Sequence, residues 1–506
     1  MWNRHRHELH LVRGRLGAKP LYWARSGGRF AFGSTLPSVL RAPWIDRQLS
    51  RDQLAEYLSF RVVHGPRTLM QHVQQVEPAH WLRLREDGLS TRRYWRPHYA
   101  RARAPRPRES DVIPALQEAV QHSLKRRMAE GQQAGLFLSG GLGSTAIAAA
   151  ARSLHRELPT FTATFADDPH PESPFAGRVA RLLGLDHHDV VLGTAEIAQA
   201  FGRGVAAMGQ PIGHPALFLQ LALADVATHK VDVVFTGDGS DELFGGRVLD
   251  PIARDLRMAH RIQGMAPPLR FAARLAMSGS ARGRKMSNPT ERYGLDLGLG
   301  GAQLFDTEER AALLSDPRWI RPTVRYDVLA PFYADLDTDP VNEVLHAYMR
   351  SSLVEESLAR ADRVGNASGL EVRFPLLDRE VLTLALALPG MFKVRRRGLG
   401  LHSRWPLRAM LQGIIPPPLV NRPKRGMPAP MDAWLINQGR IFLEQQFQRL
   451  MDNPHGLWAP EGLRALRASL GTPGSQAGTR LWSLFILEEW LDLVLHGSSR
   501  GSATLR

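Results

Sequence analysis

An α/β fold with a mostly helical C-terminal part is what three features of this chain predict. Strand-like and helix-like segments alternate from Glu109 onward. At Gly135 to Ala148, GLFLSGGLGSTAIA, an apolar strand breaks into a glycine turn and enters an Ala-rich helix. At Val233 to Gly246, VVFTGDGSDELFGG, a second apolar strand ends in an acidic turn. Strands spaced by helices build a parallel sheet with right-handed crossovers. The 506 residues leave room for more than one domain.

In chain order, residues 1–96 read as strands with tight turns: His7 to Val12, Leu21 to Ala24, Arg29 to Gly33 and Trp81 to Leu84, with a helix near Ser50 to Phe60. His5, His7 and His10 read as solvated strand residues, because no matching metal-ligand set accompanies them. Residues 97–108 are rich in Pro and Arg and poor in large apolar side chains, which marks a linker. Ser110 reads as the N-cap of a helix from Asp111 to Arg127. Then follow strand Gly135–Leu138, helix Ser144–Arg152, strand Thr160–Phe165, helix Pro174–Leu183, strand His188–Val191, helix Ala216–Thr228 and strand Val231–Thr236. Ser278 to Asn288 reads as a polar mobile loop and the tail from His496 as frayed.

Composition narrows the chemistry. There is no cysteine, so thiolate nucleophiles, disulfides and Cys-ligated metals are excluded for this sequence. The formal charge is +16, carried almost wholly by arginine, with lysine only at positions 19, 125, 230, 285, 393 and 424. The basic residues are dispersed, so nucleic acid is not an expected partner. No apolar run approaches the roughly 20 residues of a membrane span, and no secretory leader is evident, so a cytoplasmic location is expected.

The strand, glycine turn and helix start at Ser139 to Ser144 make a phosphate site: backbone N–H groups, a helix N-terminus and two hydroxyls face one anion. The acids Asp238, Asp241 and Glu242 follow the second strand, and in an open parallel sheet both turns share the carboxyl edge where ligands bind. Carboxylates beside a polyphosphate call for a divalent cation between them. A capping turn is the competing reading, with Ser240 or Asp241 as N-cap. Leu358 to Asp378 sets charges within an apolar, helix-like stretch, where they need partners. Asn421 to Met427 places the rare Lys424 in a Pro/Gly loop suited to neutralising pyrophosphate, or simply an exposed basic turn.

Taken together and in this order, SGGLGS, GDGSDELFGG at Gly237 to Gly246, LEVRFPLLD at Leu370 to Asp378 and the RPK motif from Arg422 to Leu435 resemble the asparagine synthetase family over almost the whole chain. Arg13 to Leu21 is similar to part of that family's glutaminase domain. The resemblance implies a partial Ntn-type glutaminase β-sandwich over 1–96, a linker at 97–108, an adenine-nucleotide-hydrolase-like ATP-pyrophosphatase domain over 109–496 and a disordered tail at 497–506. It implies ATP-dependent formation of an acyl-adenylate and its capture by ammonia or an amine, with aspartate as the default carboxylate. Leu138, Ala163, Thr236 and Gly237 would line adenine and ribose. Ser139, Gly140, Gly141 and Ser144 would hold pyrophosphate. Asp241 would bind Mg2+, Asp238 would serve adenylation, Lys424 the leaving pyrophosphate and Glu371 the amine half-reaction. A homodimer is also expected.

Several positions depart from the family pattern. Gly143 replaces an aspartate that helps hold Mg2+, Gly14 replaces another, Gln210 and His214 stand where acids are common, and Arg404 stands where a lysine is common. Met1-Trp2 aligns well inside the glutaminase domain, so the expectation is an N-terminally truncated member without its catalytic cysteine. Three functions remain open at this point: an asparagine synthase, a relative joining another carboxylate (of the lasso-peptide cyclase or β-lactam synthetase type), and a catalytically degenerate copy.

Overall fold

Five parallel strands carry the fold. The computed structural model describes residues 1–101, 105–128, 131–154, 158–166, 171–246, 304–321, 336–397, 400–422 and 431–495, with a few isolated positions besides. The N-terminal part holds β1 (Trp2–Asn3), β2 (Glu8–Val12), β3 (Tyr22–Ser26), β4 (Arg29–Gly33), α1 (Leu36–Val39), α2 (Arg51–Phe60), β5 (Gln74–Gln75), β6 (His80–Arg85) and β7 (Gly88–Arg93). They form two antiparallel sheets, in the orders β1-β2-β6-β7 and β4-β3-β5. His7 lies in a tight turn with φ +50°, and of the three histidines only His10 sits on a strand, stacked on Trp81.

The segment between the two parts has no helix or strand among its described residues. It is nevertheless held: Ala100 is buried, its N–H donates to Leu386 O at 3.0 Å, and its carbonyl accepts from Thr338 Oγ1 at 2.7 Å. The helix that follows, α3 (Glu109–Arg127), starts one residue before the expected cap. Arg108 is the N-cap, and Ser110 lies inside the first turn, bonding Asp111 instead.

Next come β8 (Ala134–Phe137), α4 (Leu142–Ser153), β9 (Thr160–Phe165), α5 (Ser173–Leu183), β10 (His187–Leu192), α6 (Thr194–Met208), α7 (Ala216–Ala227), β11 (Val233–Phe235) and α8 (Ser240–Phe244). A last strand, β12 (Glu371–Arg373), completes a sheet of order β10-β9-β8-β11-β12, with every pairing parallel. From β8 the chain first builds outward through β9 and β10, then returns to place β11 on the other side. The carboxyl ends of β8 and β11 therefore flank the switch point, where such sheets leave a crevice. The alanines of α4 let it bury almost entirely against its neighbours, and α7 is apolar nearly all round and equally buried.

Two elements differ from the sequence expectation. Helix α6 was not anticipated, because Gly202 and Gly204 dilute its helical propensity. Burial of Ile197, Phe201 and Val205, spaced one turn apart, fixes it. The charged stretch 358–378 is not one helix. Helix Ala359–Ser368 ends at Gly369 in the left-handed conformation (φ +75°), and β12 follows. The charges in that helix are partnered: Arg360 with Glu356 at 3.3 Å, Asp362 with Lys19 at 2.8 Å, and Arg363 with the Ser34 carbonyl. Two of these reach back to the N-terminal strands, so one continuous apolar cluster runs through both parts. No described helix is long and apolar enough to cross a membrane.

Candidate functional site

The turn leaving β8 is shaped by what its glycines allow. Gly140 adopts φ +65°, and a Cβ there would meet Ala176 N at 2.8 Å, so the turn rests on the first residues of α5. Gly141 caps α4 and donates its N–H to Ser139 Oγ at 3.3 Å. Ser144 Oγ lies 3.4 Å from Ser139 Oγ, so both hydroxyls converge at the helix start. Unsatisfied N–H groups and the helix dipole favour an anion at that point.

The turn leaving β11 meets the first one directly. A Cβ on Gly237 would stand 2.5 Å from Ser144 N; one on Gly143 would stand 2.6 Å from Ser240 Oγ and 2.7 Å from Gly237 O. The backbone N–H of Thr236 anchors this turn by donating to Arg373 O at 3.1 Å, and its hydroxyl donates to Asp238 Oδ2 at 2.7 Å. Gly239, not Ser240 or Asp241, is the N-cap of α8. Its φ of +90° and the Leu377 side chain packed beneath it leave no room for a Cβ.

Between the turns lies a cavity of about 210 Å3. Of the residues expected to bind nucleotide, Leu138, Ser139, Gly141, Ser144, Ala163, Thr236 and Gly237 line it, as does Asp238. Gly140 shapes the same turn from behind. Three expected site residues stand elsewhere. Asp241 points away from the cavity wall and forms an ion pair with Arg404 at 3.3 Å; the guanidinium of Arg404 lines the cavity in its place. Glu371 is paired with Val233 at the amino end of β11, about 10 Å of strand below the Thr236 level. There it bonds Arg373 at 3.0 Å, and those hydrogen bonds hold its carboxyl below the ordinary glutamate range. The structure thus moves Glu371 off the carboxyl edge, because the strand it opens runs toward the cleft. Lys424 lies outside the described residues, as do the loop at 278–288 and the tail from 496.

The cavity also holds groups the sequence reading did not single out. Gln220 is the one amide in the apolar run of α7 and bonds Arg360 Nε at 2.8 Å; a lone polar residue in such a helix was the clue. Glu172, just before α5, is 3.8 Å from Arg422. Arg422 stacks over the Phe175 ring at 4.3 Å and donates to Ser139 O at 3.4 Å, tying the RPK segment to the phosphate turn. For a resident magnesium ion the donor set is poor. Gly143 offers no oxygen and no space for one, and the carboxylate of Asp241 already faces a buried arginine.

Comparison with known proteins agrees with the order of these elements. Residues 115–492 match the family model "Asparagine synthase", and residues 1–95 match "Glutamine amidotransferase domain". Asparagine synthetase (glutamine-hydrolyzing) 1 of Bacillus subtilis is 27% identical over 445 residues, spanning 87% of this chain and 68% of that protein. A putative asparagine synthetase (glutamine-hydrolyzing) of Mycobacterium tuberculosis is 30% identical over 446 residues, spanning 86% and 67% respectively. Amidase chyE of Penicillium rubens is 28% identical over 268 residues, 49% of this chain and 39% of its own length.

Proposed function

The chain belongs to the asparagine synthase family, and from that premise we propose that it is an ATP-dependent carbon–nitrogen ligase that converts aspartate to asparagine through an acyl-adenylate. The observation that supports this most is the meeting of the 139–144 and 236–242 turns on one cavity at the sheet's switch point. Adenine and ribose lie along Leu138, Ala163, Thr236 and Gly237, and the phosphates reach the N-terminus of α4 with Ser139, Gly140, Gly141 and Ser144. A carboxylate oxygen of the substrate attacks the α-phosphorus, and pyrophosphate leaves. The amine nitrogen then attacks the acyl carbon, the acyl–phosphate bond breaks, and AMP departs. The protein's part is placement and charge stabilisation. Asp238, held by the Thr236 hydroxyl, orients groups around the reacting phosphate, and Lys424 neutralises leaving pyrophosphate. Mg2+ enters as part of the ATP chelate.

The nitrogen arrives as ammonia or another amine, since this sequence has no cysteine to attack glutamine. ATP–pyrophosphate exchange tests the reading. Exchange that depends on aspartate is expected. Exchange that depends only on a different carboxylate moves the chain to a relative of other specificity, and absence of exchange with every acid tried ends the ligase reading.

A further inference from the structure

We infer that Arg404 supplies the fixed positive charge against bound polyphosphate in this cleft, so that nucleotide binding rests on a guanidinium rather than on a metal held by protein carboxylates. The inference deepens the nucleotide reading above and rests on it.

The local arrangement carries the argument. The Arg404 side chain is 3% exposed, yet its guanidinium lines the cavity. Nη1 lies 3.3 Å from Asp241 Oδ1, and Nε is buried with no hydrogen-bond partner among the described residues. The residue sits in the left-handed region (φ +57°), immediately before the short helix Trp405–Met410, and its N–H donates to Phe244 O at 3.0 Å. The backbone is thus fixed from the α8 side, and the side chain is fixed by Asp241. A guanidinium presents a planar fork of donors, and a phosphate accepts two of them at once. With one edge given to Asp241, the Nε edge stays available to an anion in the cavity.

The opposite wall closes the alternative. Position 143 has no side chain, and Ser240 with the Gly237 carbonyl fills the space one would need. A metal bound through Asp241 would have to displace Arg404 from a buried ion pair and leave a buried cation uncompensated. Magnesium that accompanies ATP is held by the phosphates themselves.

Calorimetric titration with ATP, in Mg2+ and again in EDTA, tests this. Wild type is expected to bind within about threefold of the same affinity in both buffers. Arg404→Met is expected to lose at least tenfold in both, and Arg404→Lys to recover part of it, since lysine keeps the charge without the fork. Asp241→Asn is close in shape and releases the guanidinium, so it should bind ATP as tightly as wild type or more so. The opposite pattern overturns the inference: wild-type binding that falls tenfold or more in EDTA, with Asp241→Asn weakened in Mg2+ and Arg404→Met unaffected. Wild type that binds ATP in neither buffer overturns the nucleotide reading itself and the inference with it. Thermal melts of each variant separate lost binding from lost folding, and Asp241→Asn keeps the test open if Arg404→Met does not fold.

Discussion

The turns after β8 and β11 lie side by side and solve opposite problems. The first is neutral. It offers N–H groups and two hydroxyls, and its glycines exist so that other backbone can come close. The second carries Asp238, Asp241 and Glu242 and needs partners: Thr236 for Asp238 and Arg404 for Asp241. Burial raises the Tyr348 hydroxyl far above its usual range, and the charges of Glu242 and Asp241 add to that rise, so this side of the cleft is strongly anionic apart from Arg404. The contrast shows that the charged turn reaches the cleft only because the neutral one gave up a side chain at position 143.

The sharpest way to break the contrast is to remove the cation from the charged side. Arg404→Met leaves Asp241 in a largely buried place without its partner, and a loss of about 3 kcal/mol in urea unfolding is expected. Adding Asp241→Asn should return more than half of it; additive losses would mean the two side chains are not coupled. Adding bulk to the neutral side comes next. Gly143→Asp drives a Cβ toward the Gly237 carbonyl and should cost about 1–3 kcal/mol without raising pyrophosphate exchange. A stable, more active Gly143→Asp protein would show that the two turns separate easily.

A smaller effect is expected at Thr236. Thr236→Val removes the donor to Asp238 and should cost about 1 kcal/mol, with slower exchange. The smallest belongs to Glu371→Gln, at most about 0.5 kcal/mol for a half-exposed pair with Arg373. Because Arg373 lowers the Glu371 pKa in the folded state, that contribution is present at neutral pH and fades as pH falls through the lowered value. Exchange should be unchanged, and a tenfold drop would return Glu371 to the chemistry.

What the sequence made legible is what local chemistry decides. Arg29–Gly33 and Thr160–Phe165 fold over the residues their apolar alternation marks. The residues of the two glycine turns come together because each turn follows directly from its own strand. What stayed illegible depends on distant chain. Arg404 meets Asp241 across 163 positions, and no local pattern announces that pairing. Glu371 sits in a motif segment that looks helical, and only the register of β12 against β11 shows which end of the sheet it occupies. Helix α6 carries too many glycines to declare itself before its apolar face is buried.

The buried helix Ala477–Leu495 has a consequence for how the protein is made. The phenol of Tyr57 donates to Ser483 O at 2.8 Å, Arg47 donates to Val494 O at 2.9 Å, and the Trp482 indole ring wedges against Phe201, Phe218 and Trp434. The early strands and α2 therefore cannot complete their packing until residues more than 400 positions later have left the ribosome. At about 5–20 residues per second that is a wait of tens of seconds with apolar surface uncovered, a period in which a nascent-chain chaperone governs yield.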